Sequence, residues 1–227
     1  MSKAQGHLIA QWSLICCAVA LVFFGIRLTL SAAYSHQLGT FFTHWEQSPN
    51  NATAASIDIA LNAAHSAQAL FPSHSGRISS DLARLAEWRA HALNDSDDAE
   101  ALRLYALDLH RDALQARPWD TDILLDLAAT KITLQQFDDE LETTFNRAYE
   151  LGNNHQGTLL RLLGQLSRHW HSINNSSRFL AIKASERLDT FPSARLHLSE
   201  LLTVSPATRY ICSSLTLSNA IQSANCR

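Results

Sequence analysis

Over residues 8–30, bounded by Leu8 and Leu30, the chain reads LIAQWSLICCAVALVFFGIRLTL, with Gln11 and Arg27 as its only strongly polar members. As a helix rising about 1.5 Å per residue, such a run covers roughly 34 Å, enough for a hydrocarbon core of about 30 Å. Trp12 and Tyr34 lie near its two edges, where amphipathic aromatics favour the interface, and Arg27 is placed to reach head groups from the last turn. The pattern predicts a transmembrane anchor within residues 1–33. A cleaved signal peptide is the competing reading, with Ser31-Ala32-Ala33 before the cut. The run exceeds the about 7–15 apolar residues of an ordinary signal and Arg27 precedes that site, so the uncleaved anchor is favoured.

Beyond the anchor the pattern changes to helical periodicity. Leu38, Phe41, Phe42 and Trp45 share a helical face before Ser48-Pro49-Asn50-Asn51 breaks it. Residues 34–52 thus form a juxtamembrane helix and linker, either lying on lipid or serving as the first helix of the domain. From 53 to 227 one amphipathic stretch follows another. Ile57, Leu61, Ala64 and Ala67 make the first stripe, ending at Phe71-Pro72; Leu82, Leu85, Ala86 and Leu93 make the next. Asp95-Ser96-Asp97-Asp98 is a start signal for a stripe through Leu102, Ala106, Leu109, Ala113 and Ala116, which ends at Arg117-Pro118. Asp120 or Thr121 opens a helix with Ile123, Leu124, Leu127 and Ala128, and Gln135-Gln136-Phe137 turns it into one with Leu141, Phe145 and Ala148. Gly152-Asn153-Asn154 stops that helix, and residues 159–170, 179–188 and 192–202 complete the series. No alternating β-branched stretch is long enough for a strand. The fold class is all-α.

The series repeats. Asp112-Ala113-Leu114-Gln115-Ala116-Arg117 maps at an offset of 35 onto Arg147-Ala148-Tyr149-Glu150-Leu151-Gly152, and Leu124, Leu125 and Leu127 fall on Leu159, Leu160 and Leu162. A period near 34 residues is that of tetratricopeptide (TPR) hairpins stacked as an α-solenoid. The full consensus is absent, and an irregular helical bundle is the alternative.

Charge sharpens this picture. The formal net charge is −3, while Lys3 and Arg27 give the first 33 residues +2 and leave −5 for the rest. No basic block exists to neutralise a phosphate backbone, which argues against nucleic acid as a partner. Cys16 and Cys17 lie in the apolar run. Cys212 and Cys226 are the only pair in the body, and a 14-residue loop between them fits a disulfide formed in an oxidising compartment, with two unrelated free thiols as the alternative. In the chain-entropy picture such a loop contributes about 3 kcal/mol. Together these features place the N-terminus in the cytoplasm and the body in the periplasm of a bacterial inner membrane.

Candidate chemistry is sparse. Eleven histidines are present, but His169 and His171 are spaced i, i+2 and face apart on a helix. The chain has no CxxCH, GxGxxG, Walker loop or GxSxG, and the reading is of a protein with no catalytic residues, metal or cofactor. Asp138, Asp139, Glu140 and Glu142 are read as capping carboxylates at a helix start. Trp88, Trp119 and Trp170 fall near helix ends, with Arg89, Arg117 and Arg168 close by. They are read as core aromatics covered by guanidiniums, against a groove that stacks on sugars or grips a partner helix. Trp119 in particular is expected to pack beneath the following hairpin, close to Leu124, Leu127 or Phe145.

The segment RDALQARPWDTDILLDLAATKITLQQFDDELETTFNRAYELG, followed by LLRLLGQLSRHW, resembles the VpsP-type, TPR-like membrane-anchored accessory proteins of bacterial exopolysaccharide loci. The matching positions are Arg117-Pro118-Trp119, Leu127-Ala128 with Lys131, Phe137, Ala148 with Glu150-Leu151-Gly152, and Trp170. Asp120-Thr121-Asp122-Ile123-Leu124 departs from the aromatic run expected after the tryptophan, and Asn153-Asn154-His155 departs from a Pro-Trp-type turn. The resemblance implies a non-catalytic scaffold for surface polysaccharide biosynthesis or export. Its partners would be inner-membrane polymerase, ligase or export proteins and the lipid bilayer, with self-association left open. The alternatives are an assembly factor of a secretion, pilus or cytochrome-maturation machine and, as a third class, a metal-dependent enzyme.

Overall fold

The computed structural model describes residues 3–71, 75–93, 96–217 and 226, with side chains from residue 11 onward. Pro72 and Asp95, parts of the turn and start signals above, and the side chain of Leu8 lie outside that description. The described residues form ten α-helices and two short 3₁₀ turns, with no strand. Two compact units divide the chain, Met1–Leu102 and Arg103–Arg227. The division falls inside a helix.

In the first unit α1 runs unbroken from Lys3 to Gln47. Its large apolar side chains between Trp12 and Leu30 are exposed, and the helix is long and apolar enough to cross a membrane. No break marks residue 33 or 34. Leu38, Phe42 and Trp45 on the same helix are almost fully buried, so residues 34–47 are the first helix of the body and not a surface helix. They pack against α2 (Ala54–Leu70), which in turn packs against α3 (Gly76–Ala92). The buried face of α2 is Ile57, Ala60, Ala63, Ala64 and Ala67, and small side chains of this kind let paired helices approach closely. Leu61, assigned to that face by periodicity, is only half-buried. Thr53 and Ser75 cap α2 and α3 by accepting from the amides of Ser56 and Ile78.

Arg27 is used differently from the expectation. Its Nη2 donates to the carbonyl of Ala69 at 2.9 Å, and the Ser31 hydroxyl donates to Ala67 at 2.8 Å. The carbonyls of a helix's last turn lack intrahelical donors, and Arg27 supplies one to Ala69, while Ser31 adds a second donor to the Ala67 carbonyl already held by the Phe71 amide. Arg27 therefore ties the apolar part of α1 to the end of α2.

In the second unit α4 (Asp97–Ala116) contributes its residues from Arg103 onward, followed by α5 (Thr121–Thr133), α6 (Asp139–Gly152), α7 (Gln156–Arg168), α8 (Asn175–Asp189), α9 (Arg195–Thr203) and α10 (Thr208–Leu217). From α5 to α8 each helix packs against the next and against the one after that. Leu159, Leu162, Leu163 and Leu166 on α7 are fully buried at the centre of this core, with Leu124, Phe145, Ala181, Leu188 and Leu198 around them. The caps repeat with the hairpins. Asp120 and His155 cap α5 and α7, 35 positions apart, and Asp138 and Asn174 cap α6 and α8, 36 apart. Cys212 and Cys226 are joined in a disulfide, with their Cα atoms 5.1 Å apart.

Gly152 marks the tightest approach. A Cβ there would collide with the Thr158 methyl on the first turn of α7. Gly152→Ala must push α6 and α7 apart and should cost about 1–3 kcal/mol, read as a lowered melting temperature of the otherwise native chain. An unchanged melt would show that the α6–α7 turn yields freely.

Candidate functional site

The turn between α4 and α5 carries Arg117, Pro118 and Trp119. Pro118 disfavours helical geometry at Arg117, and Asp120 then caps α5 by accepting from the amides of Asp122 and Ile123. The Asp120 carboxylate also holds Arg117 at 2.9 Å. Trp119 does not pack beneath the following hairpin. It is 74% exposed, because Leu124, Leu127 and Phe145, its expected neighbours, already fill that interior and are each at least 98% buried. Its contact is with Arg147 on α6, whose guanidinium lies 5.7 Å from the indole centroid while its Nη2 donates to the Pro118 carbonyl at 2.7 Å. An open depression of about 590 Å³ borders Arg117, Pro118, Trp119 and Asp120.

Thirty-five residues later a comparable turn is built without a tryptophan. Arg187 on α8 donates through Nε to the Asn153 carbonyl at 3.0 Å and through Nη2 to the Asn154 side chain. At the 35-residue offset Asn153 stands for Pro118, Asn154 for Trp119 and the capping His155 for Asp120. A polar partner for the arginine is enough to hold the turn. The indole of Trp119 adds apolar surface that the turn does not use.

The other tryptophans are placed differently. Trp170 is 5% exposed in the core of the second unit, stacked on Tyr210 at 5.3 Å, with Arg178 rather than Arg168 over its ring at 5.8 Å. Arg178 Nε also donates to the Trp170 carbonyl at 2.9 Å. Trp88 belongs to the first unit, half-buried beside Trp45 at 5.6 Å and His91 at 5.9 Å. Arg89, its sequence neighbour, points instead toward Asp58. Arginines one helix away, rather than sequence neighbours, thus cover the rings of Trp119 and Trp170.

Lys131 is buried to 1% exposure, and its ammonium donates to Asp138 at 2.8 Å and Glu140 at 2.6 Å. Arg111 on α4 grips the same Glu140 through two bonds, 2.9 and 2.7 Å. Of the acidic run read as capping, Asp138 caps α6, whereas Glu140 ties three helices together. The Arg111 hydrogen bonds, opposed by burial and reinforced by Lys131, hold the Glu140 carboxyl down to about 2. Burial pushes the Asp138 carboxyl up, but the Lys131 bond and the Leu141 amide outweigh it and leave it lowered. Both carboxylates are charged at neutral pH and fully engaged, which suits a clamp and leaves no free base.

Among the described residues no group of three or more His, Cys, Asp or Glu is placed to hold a metal ion. His169, packed near Phe137 at 6.3 Å, has its pKa lowered by burial and by the Arg168 charge. Comparison with family models, with curated proteins and with solved structures finds no match. The likeness to the polysaccharide-locus proteins therefore rests on the residues quoted for it.

Proposed function

We propose that the protein is a non-catalytic scaffold, anchored in the bacterial inner membrane by the first part of α1, whose TPR-like helical body captures a partner of the surface-polysaccharide assembly or export machinery. The N-terminus lies in the cytoplasm and the body in the periplasm. Support for the repeat reading comes from the 35-residue spacing of caps and arginine-held turns, and from helices that pack on both the next and the next-but-one. Anchoring confines the body to the bilayer surface and raises its effective concentration beside other membrane components.

The observation that carries the reading is Trp119, an exposed indole at a turn where the equivalent Asn154 suffices. Tryptophan and arginine are the residues around which partner binding concentrates, and both stand here side by side. The test is Trp119→Ala in the producing cell, with Asn154→Ala as the control at the equivalent turn. Trp119→Ala should abolish polymer output while the full-length protein stays folded in the membrane fraction, and a periplasm-dependent reporter at its C-terminus should be active. Undiminished polymer with Trp119→Ala, or a silent reporter, refutes the assignment.

A further inference from the structure

The end of the apolar span is built differently from the rest of α1. Arg27 and Ser31 turn to the carbonyls of Ala69 and Ala67, so the last turn of α2 lies level with the place where the exposed apolar surface runs out. Beside it, α1, the end of α2 and the start of α3 border a half-open cavity of about 380 Å³. Its lining grades in character. Along α1 it runs from Leu28 through Ser31 and Ser35 to His36, with Phe71 from the end of α2 and Ser75, Arg77 and Ile78 from the start of α3. Leu28 and His36 are separated by roughly 12 Å of helix rise, which more than covers the roughly 5–8 Å of head-group layer on one side of a bilayer.

Arg77 has no carboxylate partner among the described residues, whereas Arg84 and Arg89 on the same helix point to Glu46 and Asp58. It also borders a second groove of about 450 Å³ with Thr40, Thr43 and His44. A cation without a carboxylate counter-ion, beside Ser35 and His36 in the cavity lining, is chemistry suited to a phosphate, which arginine can bind bidentately. A free phosphate would fill only the polar end. The apolar end calls for acyl chains attached to the same molecule.

We infer that this cavity holds the phosphate head group of a membrane lipid, with Arg77 and His36 on the phosphate and Leu28 and Phe71 against the first part of its chains. The inference rests on the anchored reading of α1. It would make the body lie at a fixed height on the bilayer, held by a lipid as well as by the span.

The full-length protein in detergent is titrated with phosphatidylglycerol, with diacylglycerol of the same chains, or with inorganic phosphate, and bound species are counted by native mass spectrometry. Phosphatidylglycerol should be retained, diacylglycerol should not, and Arg77→Ala should weaken retention about tenfold. His36→Ala should weaken it less, and Arg77→Lys should recover part of the loss. Equal retention of phosphatidylglycerol and diacylglycerol, or by wild type and Arg77→Ala, overturns the site. Inorganic phosphate that displaces the lipid from the wild-type protein as effectively as more phosphatidylglycerol does would reassign the site to a free anion and also overturn it. Flotation with pure phosphatidylcholine vesicles reads the anchor by itself: wild type and Arg77→Ala should float alike, and a wild type that does not float overturns the anchored reading instead.

Discussion

Replacing both carboxylates that hold Lys131, as Asp138→Asn with Glu140→Gln, should destabilise the second unit by about 3–5 kcal/mol. The ammonium is 1% exposed, so without them it stays buried with no charge to balance it. Removing the ammonium instead has a smaller effect. The side chains of Asp138 and Glu140 are 52% and 40% exposed and can hydrate, and Arg111 still grips Glu140. Lys131→Met keeps the buried stem and should cost less than about 1.5 kcal/mol, as volume-conserving swaps do. Added to the double carboxylate variant, Lys131→Met should restore most of the lost stability, because the uncompensated charge is gone. Thermal melts of the four proteins decide the matter. A double variant that melts like wild type, or one that Lys131→Met makes worse, would show that Lys131 is not held by these charges.

The same clamp sets an acid limit. The Glu140 carboxyl is lowered from its ordinary 4.5 to about 2, with Arg111 as the leading cause. A group lowered on folding contributes stability that is complete above its unfolded value and is lost as pH falls toward its folded one. Melting temperature should therefore fall between about pH 4.5 and pH 2, and Glu140→Gln should flatten that part of the curve. An identical pH profile for the variant would exclude Glu140 as its source.

The sequence reads well where local chemistry decides. The apolar run, the Pro118 stop and the Asp120 cap appear as helix, turn and cap in the fold, and the 35-residue offset recurs in the spacing of the Asp120 and His155 caps. It reads poorly where partners come from afar. Arg27 looks like an interfacial cation until α2 ends beside it, and nothing local announces that Ala69 will need a donor. His155 caps α7 in place of the usual Ser, Thr, Asp or Asn, so that helix begins at Gln156, ahead of the apolar stripe. The periodicity predicts no helix over Thr208–Leu217, a mostly polar stretch in which Ile211 and Leu215 are the buried residues among those whose side chains are described. Tryptophan burial is the clearest case. Trp119 and Trp170 both follow helix ends near an arginine, yet one is exposed and the other is core, because only tertiary packing supplies Trp170 with a Tyr210.

That contrast gives the last expectation. Trp170→Ala removes a ring that is 5% exposed, stacked on Tyr210 of α10 and set in the core beside Leu166 and Ile173. A cavity of that size costs about 3–5 kcal/mol, a large part of a domain's typical 5–15. Trp119→Ala removes a larger exposed area but little packing, and surface changes of this kind stay within about 0.5 kcal/mol. Arg147 keeps its bond to the Pro118 carbonyl without the indole, so the turn itself survives. Melting of full-length protein in detergent should thus separate the two tryptophans widely, although both follow helix ends in the sequence. Activity in the cell should separate them too, but by different routes. Trp170→Ala should lower polymer output in step with the amount of folded protein, and a stabilising background should recover it. Trp119→Ala should abolish output at full protein abundance, and no stabilising change elsewhere should bring it back. Loss of folded protein with Trp119→Ala would return that residue to a packing role and remove the argument that its surface is there for a partner.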